Sequence, residues 1–234
     1  MPTFNRLLLS IFLQADSENR QKIFGMTEEN PNAKLLDCGC SNGLFSKEIA
    51  DHIKTVNIYG VDFQSRATKC HKYSPVDVCN CNLNQKMPFK DESFDVVHAN
   101  QVIEHLTETD VFLEEIYRVL KPGGYAVLST PNIGSFHNIV SLIFGYQPFS
   151  AHISNKVIVG NPMDPKHDMI HASPGEIHMR IFSYKGLTEL MEYNGFTIEK
   201  ICGAGYYPFP GILGKFLSKI DPRHAVYLII KIRK

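Results

Sequence analysis

Leu35-Leu36-Asp37-Cys38-Gly39-Cys40-Ser41-Asn42-Gly43 is the stretch on which the reading of this chain turns. A short apolar run closes on an acid, and two glycines then let the backbone turn tightly and approach a ligand. The helical pattern that follows, carrying Phe45, Ile49 and Ile53, offers free amide donors at its start. Strand, turn and helix follow one another. A glycine turn of this kind would serve equally as a plain corner, so the rest of the chain has to decide.

Outward from that corner the pattern repeats. Val56 to Asp62 is a second strand and SRATKCHKY a helix; Val76 to Asn80 is a third strand and Phe94 to Asn100 a fourth. Thr109 to Leu120 is a helix that Lys121-Pro122-Gly123-Gly124 should stop, and Tyr125 to Pro131 is a fifth strand. Strands that are apolar throughout, alternating with helices, indicate an α/β fold. The expectation is a doubly wound, mostly parallel, seven-stranded sheet with helices on both faces, whose ligands bind beyond the carboxyl ends of the strands. The last strands are read at Phe196 to Cys202 and Ala225 to Arg233, with a helix over Tyr184 to Asn194 before them.

The chain of 234 residues reads as a single domain. Its parts are an N-terminal helical segment (1–30), a ligand-binding core (33–132), an irregular insertion or lid (135–182) and a C-terminal helix and strands completing the sheet (183–234). With 24 basic and 24 acidic residues, no broad positive field is available to grip a phosphate backbone, which argues against nucleic acid as a partner. The apolar run Leu7 to Leu13 is short and broken by Ser10, so it reads as an amphipathic helix and not an export signal. No run reaches the roughly 18 apolar residues of a membrane span, and a soluble, cytoplasmic protein is expected. The six cysteines sit in apolar or strand-like stretches and not in a loop framework, which fits reduced thiols.

Asp62 follows the glycine turn at the spacing of a carboxylate that accepts from both ribose hydroxyls of an adenosine. Taken alone, it does not separate a nicotinamide cofactor from other nucleosides. The series as a whole does. Leu35 to Gly43 resembles the DxGxGxG motif of class I S-adenosylmethionine-dependent methyltransferases, and Gly60-Val61-Asp62 resembles their ribose-binding acid. NLNQKMPFKDESFDVVHANQVIEHL (Asn82 to Leu106) is similar to the family's adenine-covering segment and fourth strand, and RVLKPGGYAVLSTPN (Arg118 to Asn132) to its helix, turn and fifth strand. A nicotinamide enzyme would place a third glycine inside the helix, where Leu44 and Phe45 stand.

The resemblance implies S-adenosyl-L-methionine as cofactor. Asp37, Gly39, Cys40, Ser41 and Gly43 would line its methionine half, Asp62 would hold the ribose, and Phe63 would lie against the adenine. Asn82 stands where the family usually has an aspartate for the adenine amino group, and Leu83 would offer a backbone amide. Ser41 replaces a glycine, a change of little cost if the local φ is negative. Asn100, Gln101, Glu104 and His105 face the same cleft in the family's pattern. His105 is a candidate base, although a supporting histidine is the commoner role there.

The acceptor is less legible. The insertion holds His137, His152, His167, His171 and His178 without a compact metal-ligand spacing, so no metal is expected. GEIHMRIFSYKGLTELMEYNGF (Gly175 to Phe196) resembles the HxRxFS segment of bacterial and archaeal methyltransferases acting on small molecules, quinone precursors or surface sugars. That implies His178 and Arg180 on the acceptor side, with His178 a second candidate catalytic residue. The expectation is methyl transfer to a small-molecule, glycan or lipid-linked acceptor. A nucleotide-binding pseudoenzyme and a nicotinamide-dependent oxidoreductase are the alternatives. The aromatic, proline-rich, basic C-terminal stretch allows a membrane-facing acceptor, but a last sheet strand accounts for its apolar end more simply.

Overall fold

The computed structural model describes residues 2–63, 76–171 and 177–234; the helix read at 65–73 lies outside them. Seven strands form one sheet in the order β3-β2-β1-β4-β5-β7-β6. They are β1 (Lys34–Cys38), β2 (Asn57–Asp62), β3 (Asp77–Asn80), β4 (Phe94–Asn100), β5 (Leu120–Pro131), β6 (Thr197–Ala204) and β7 (Tyr227–Arg233). All pairings from β3 to β5 are parallel, and β7 runs antiparallel between β5 and β6. Strand order reverses between β1 and β4, where crevices for ligands open in such sheets.

The apolar runs are explained by burial on both sides. Leu35, Ile58, Val96, Val127 and Ile229 meet the buried residues of α1 (Pro2–Phe24) and α2 (Leu44–Ile53). Their neighbours Leu36, Val61, Val97, Ala126, Leu128 and Ile230 meet α3 (Thr109–Val119) and α5 (Tyr184–Tyr193) on the opposite face. Each fully buried aliphatic side chain contributes about 1.5–3 kcal/mol, which makes this two-sided core the main support of the sheet. At the edge strands the expectation of strands apolar throughout fails. Asp77 and Asn80 of β3 are exposed, as are Thr197, Glu199 and Lys200 of β6, because each edge has a neighbour on one side only.

Three other expectations are corrected. Lys121 to Gly124 does not end a helix before a separate strand. It bulges within β5, whose Leu120 already pairs with Phe94 and whose Tyr125 pairs with Val96. The stretch from Ser135 onward contains a helix, α4 (Phe136–Ile143), and the C-terminal stretch another, α6 (Gly211–Ile220). The first lies where the chain was read as irregular, and the second in a stretch for which no helix was read. Two short 3₁₀ turns complete the described elements, at Ile103–His105 and Pro222–His224.

Candidate active site

The corner after β1 is wound by alternating left-handed residues: Gly39 at φ 76°, Ser41 at φ 49° and Gly43 at φ 75°. The condition on Ser41 is therefore not met, and its Cβ sits in a conformation that costs roughly 1–2 kcal/mol relative to the right-handed region. The loop is pulled against β2 because the Gly39 and Cys40 amides both donate to the Val61 carbonyl, at 2.8 and 3.2 Å. Asp62, at the end of β2, is buried and accepts from the Ser41 amide (2.6 Å) through one oxygen and from the Phe63 amide (2.7 Å) through the other. A carboxylate offers about four acceptor sites, so two remain for a ligand's hydroxyls.

Asp37 is turned inward. It is buried, hydrogen-bonded to the Ser46 hydroxyl and, at 2.6 Å, to Nδ1 of buried His98 in β4. Its geometry suits bracing the corner against β4 and α2 more than lining a pocket. Cys40 is also buried, its sulfur close enough to Gly60 that a Cβ there would lie 2.7 Å away. Asn82 accepts from the backbone and side-chain amides of Asn84, Leu83 is buried, and Phe63 is 63% exposed. Asn100 accepts from Asn19 of α1 (2.8 Å) and from Ser129 of β5 (2.5 Å), while Gln101, at φ 56°, donates to the same hydroxyl. Asn19, fully buried, was absent from the sequence reading, since a lone asparagine on an amphipathic helix gives no signal.

A second cluster adjoins this corner through Val102, whose methyl group lies 2.6 Å from where a Gly39 side chain would begin. Glu104 is buried, hydrogen-bonded to Thr130 through one oxygen, and its Oε1 has no hydrogen-bond partner among the described residues; burial pushes its carboxyl up to about 8. One oxygen of Glu104 and one ring nitrogen each of His105 and His178 lie within 4.8 Å of one another. Nδ1 of His105 lies 3.0 Å from the Ile177 carbonyl, and Nδ1 of His178 the same distance from the Ser150 carbonyl. A carbonyl only accepts, so Nδ1 carries a proton in both rings, and in the neutral His178 the lone pair sits on Nε2. The row continues: His178 stacks on His152 at 4.5 Å, and His152 lies 4.8 Å from His171. Burial, reinforced by the neighbouring histidines, pushes His178 down to about 3 and His152 to about 4, so both are neutral near pH 7.

The other insertion histidines lie apart from this row. His137 is buried against Phe149 and Tyr207, and His167 pairs with Asp168. Arg180 reaches the Thr107 carbonyl (3.1 Å), and the Met179 and Arg180 amides both donate to the Glu104 carbonyl. Arg180 thus ties the insertion down beside the cluster. Two imidazoles and a carboxylate also form a donor set that a divalent cation accepts, a capacity the dispersed spacing concealed.

A family model described as a methyltransferase domain matches residues 36–128, from the first strand through most of the fifth. A Mycolicibacterium smegmatis protein named "probable S-adenosylmethionine-dependent methyltransferase" is 31% identical over 198 residues, covering 83% of this chain and 61% of that protein. Over residues 36–128 this chain is similar to the S-adenosylmethionine-dependent methyltransferases. The chain is also 26% identical over 190 residues to the human mitochondrial ubiquinone biosynthesis O-methyltransferase, covering 76% of this chain and 45% of the human one. It therefore spans only about half to three fifths of the length of these relatives. An S-adenosylmethionine-dependent methyltransferase from Thermotoga maritima shares the fold across 100% of this chain and 95% of its own, with a TM-score of 0.64 and 22% identity.

S-adenosylmethionine is the cofactor of this family, and the corner fits a nucleoside of that kind. It lies at the switch in strand order, its backbone is left-handed at three alternate residues, and the exposed Ser41 and Asn42 leave its rim open. The remaining acceptor sites of Asp62 are of the right chemistry for ribose hydroxyls. No helix among the described residues is long and apolar enough to cross a membrane.

Proposed function

We propose that this methyltransferase moves a methyl group from S-adenosylmethionine to a hydroxyl oxygen of a small or lipid-linked acceptor. The observation that carries the reading is the convergence of Glu104, His105 and His178 beside the glycine corner. The sulfonium supplies an already activated methyl group, so the protein's work is to hold the acceptor in line, exclude water and manage one proton. Asp62 would hold the ribose, with Gly39, Ser41 and Gly43 cradling the methionine half. Phe63, Asn82 and Leu83 would stand at the adenine end, and Asn100 and Gln101 at the floor of the cleft.

A hydroxyl acceptor needs a base poised near the working pH. The Nε2 lone pair of His178 would orient the hydroxyl, but His178, pushed down to about 3, binds protons too weakly to keep one. Glu104, at about 8, is matched to that task. The human relative's name, an O-methyltransferase of ubiquinone biosynthesis, supports an oxygen acceptor. A cytoplasmic location and the absence of a nucleic-acid partner complete the reading, in keeping with the balanced charge.

A second reading is that the same three side chains close on a divalent cation that acidifies the acceptor hydroxyl. The two carbonyl-anchored Nδ1 atoms favour it, since second partners commonly fix metal-binding histidines in this way. Screening phenols, sugars, quinone precursors and amines with labelled methyl donor, with and without a chelator, tests both. Label on an oxygen acceptor, with turnover reduced in His178→Ala while S-adenosylhomocysteine affinity is kept, is the expected result. Label confined to amines would overturn the oxygen reading, and loss of turnover with chelator would shift it to the cation.

A further inference from the structure

The two segments that follow β5 and β6 begin and end at one edge of the sheet. The first leaves β5 at Pro131 and returns at Phe182, which bridges back to Asn132; the second leaves β6 at Ala204 and returns at Tyr227, which pairs with both Ala204 and Pro131. The segments touch. The Asn132 amide donates to the Arg223 and Ala225 carbonyls, and the Phe136 ring lies 5.8 Å from Tyr206 and 5.6 Å from Phe209. Helices α4 and α6 therefore form a rim at the carboxyl edge, the edge that also carries Glu104 and His178.

Both helices are mounted the wrong way round for a water-soluble surface. A surface helix normally turns its apolar stripe to the core and its polar face to solvent. The buried residues of α4 are His137, Asn138 and Ser141, and those of α6 are Gly214 and Ser218. Facing outward are Ile143 (73% exposed) with Phe144 just beyond α4, and Ile212 (88%), Phe216 and Ile220 on α6. Single exposed apolar residues are ordinary, but two neighbouring helices inverted in the same sense make a patch that calls for an apolar partner.

Charge selects the partner. The chain carries no Asp or Glu from Asn132 to Met163, nor from Lys200 to Ile220. Lys215 and Lys219 stand exposed on α6, with no ion-pair partner among the described residues. An apolar face flanked by ammonium groups without ion-pair partners among the described residues, on two segments that carry no carboxylate of their own, matches an interface of acyl chains beneath anionic headgroups. We propose that α4 and α6 form a membrane-docking surface that seats this methyltransferase on a bilayer containing anionic lipid, with its acceptor cleft at the bilayer surface. This goes beyond the identity of the acceptor and does not depend on it.

The test is co-sedimentation of the full chain with phosphatidylcholine vesicles, with and without phosphatidylglycerol. Wild type is compared with Ile212→Ser/Phe216→Ser, with Ile143→Ser and with Lys215→Glu/Lys219→Glu. All the altered side chains are exposed, so circular dichroism and S-adenosylhomocysteine affinity should be unchanged. The expected result is at least tenfold tighter binding to vesicles with phosphatidylglycerol, and at least a tenfold loss in each variant. Wild type that ignores both vesicles, or serine variants that bind as well as wild type, would overturn the proposal. So would a lipid-free dimer that Phe216→Ser dissolves, since the face would then belong to a second copy.

Discussion

The rings of His105 and His178 meet edge to face with centroids 4.9 Å apart, although one belongs to the turn after β4 and the other to the insertion after β5. Each is anchored at Nδ1 by a backbone carbonyl, so the two rings present fixed tautomers. Beside the neutral His178, Glu104 is pushed by burial up to about 8.

Glu104→Gln should therefore separate a proton-handling role from a packing one. The amide keeps the shape and the contact with Thr130 but has no ionised form. Because the folded-state value, about 8, lies above the ordinary 4.5, the protonated carboxyl is the form favoured by folding. Wild-type stability should thus fall as pH rises from about 4.5 through 8, by up to a few kcal/mol at ~1.4 kcal/mol per unit. Denaturant melts of Glu104→Gln should lack that slope. If Glu104 is the base, wild-type kcat/KM climbs toward pH 8 and the variant is flat and about 10²-fold slower. A variant with the wild-type pH profile would remove Glu104 from the chemistry.

Asp62 carries two duties that can be told apart by titrating S-adenosylhomocysteine into purified variants. Alanine removes the acceptor of both the Ser41 and the Phe63 amides along with any ribose contact. Charge-assisted hydrogen bonds contribute about 1.5–3 kcal/mol each, so affinity should drop at least about 10²-fold. Asparagine keeps one acceptor but sets an NH₂ against the other amide, and should fall between alanine and wild type. Unchanged affinity in Asp62→Ala would sink the ribose assignment.

Ser41→Gly should stabilise the fold. At φ 49° the serine Cβ is strained, and among the described hydrogen bonds its hydroxyl makes none. Glycine relieves roughly 1–2 kcal/mol of strain and gives back up to about 1 in chain entropy. The net gain of about 0.5–1 kcal/mol corresponds to a Tm higher by roughly 1–4 °C for a domain of this size. A lower Tm would mean that the hydroxyl braces the corner.

How far the chain could be read before its structure follows from which faces are buried. Strands β1, β2, β4 and β5 were legible because burial on both sides leaves continuous apolar runs, cut by Asp37, Gly39, Asp62 and the Pro122-Gly123-Gly124 turn. Helices α4 and α6 were not, since their inner faces are built from His137, Asn138, Ser141, Gly214 and Ser218, the inverse of the pattern that signals a helix. The acid at Asp37 reads the same whether it faces a ligand or the core. Only the fold brings His98 and Ser46 onto it. The cluster of Glu104, His105 and His178 was hidden for the same reason, His178 being far in sequence from the adjacent Glu104 and His105 and brought to them by the return of the insertion to β5.

Gly39 tests the corner by construction. Its φ of 76° penalises any side chain by about 1–2 kcal/mol, and a Cβ would also lie 2.6 Å from a methyl group of Val102. Overpacking of that sort costs about 1–3 kcal/mol, so Gly39→Ala should lose roughly 2–4 kcal/mol in a denaturant melt. The two contributions respond differently to a second change. Val102→Ala removes the opposing methyl groups and with them the clash, but leaves the backbone angle untouched. Introduced into Val102→Ala, the same glycine substitution should cost only the remaining 1–2 kcal/mol or so. An equal loss in both backgrounds would show that the left-handed turn alone demands glycine, and that the turn carrying Glu104 and His105 does not press on the corner.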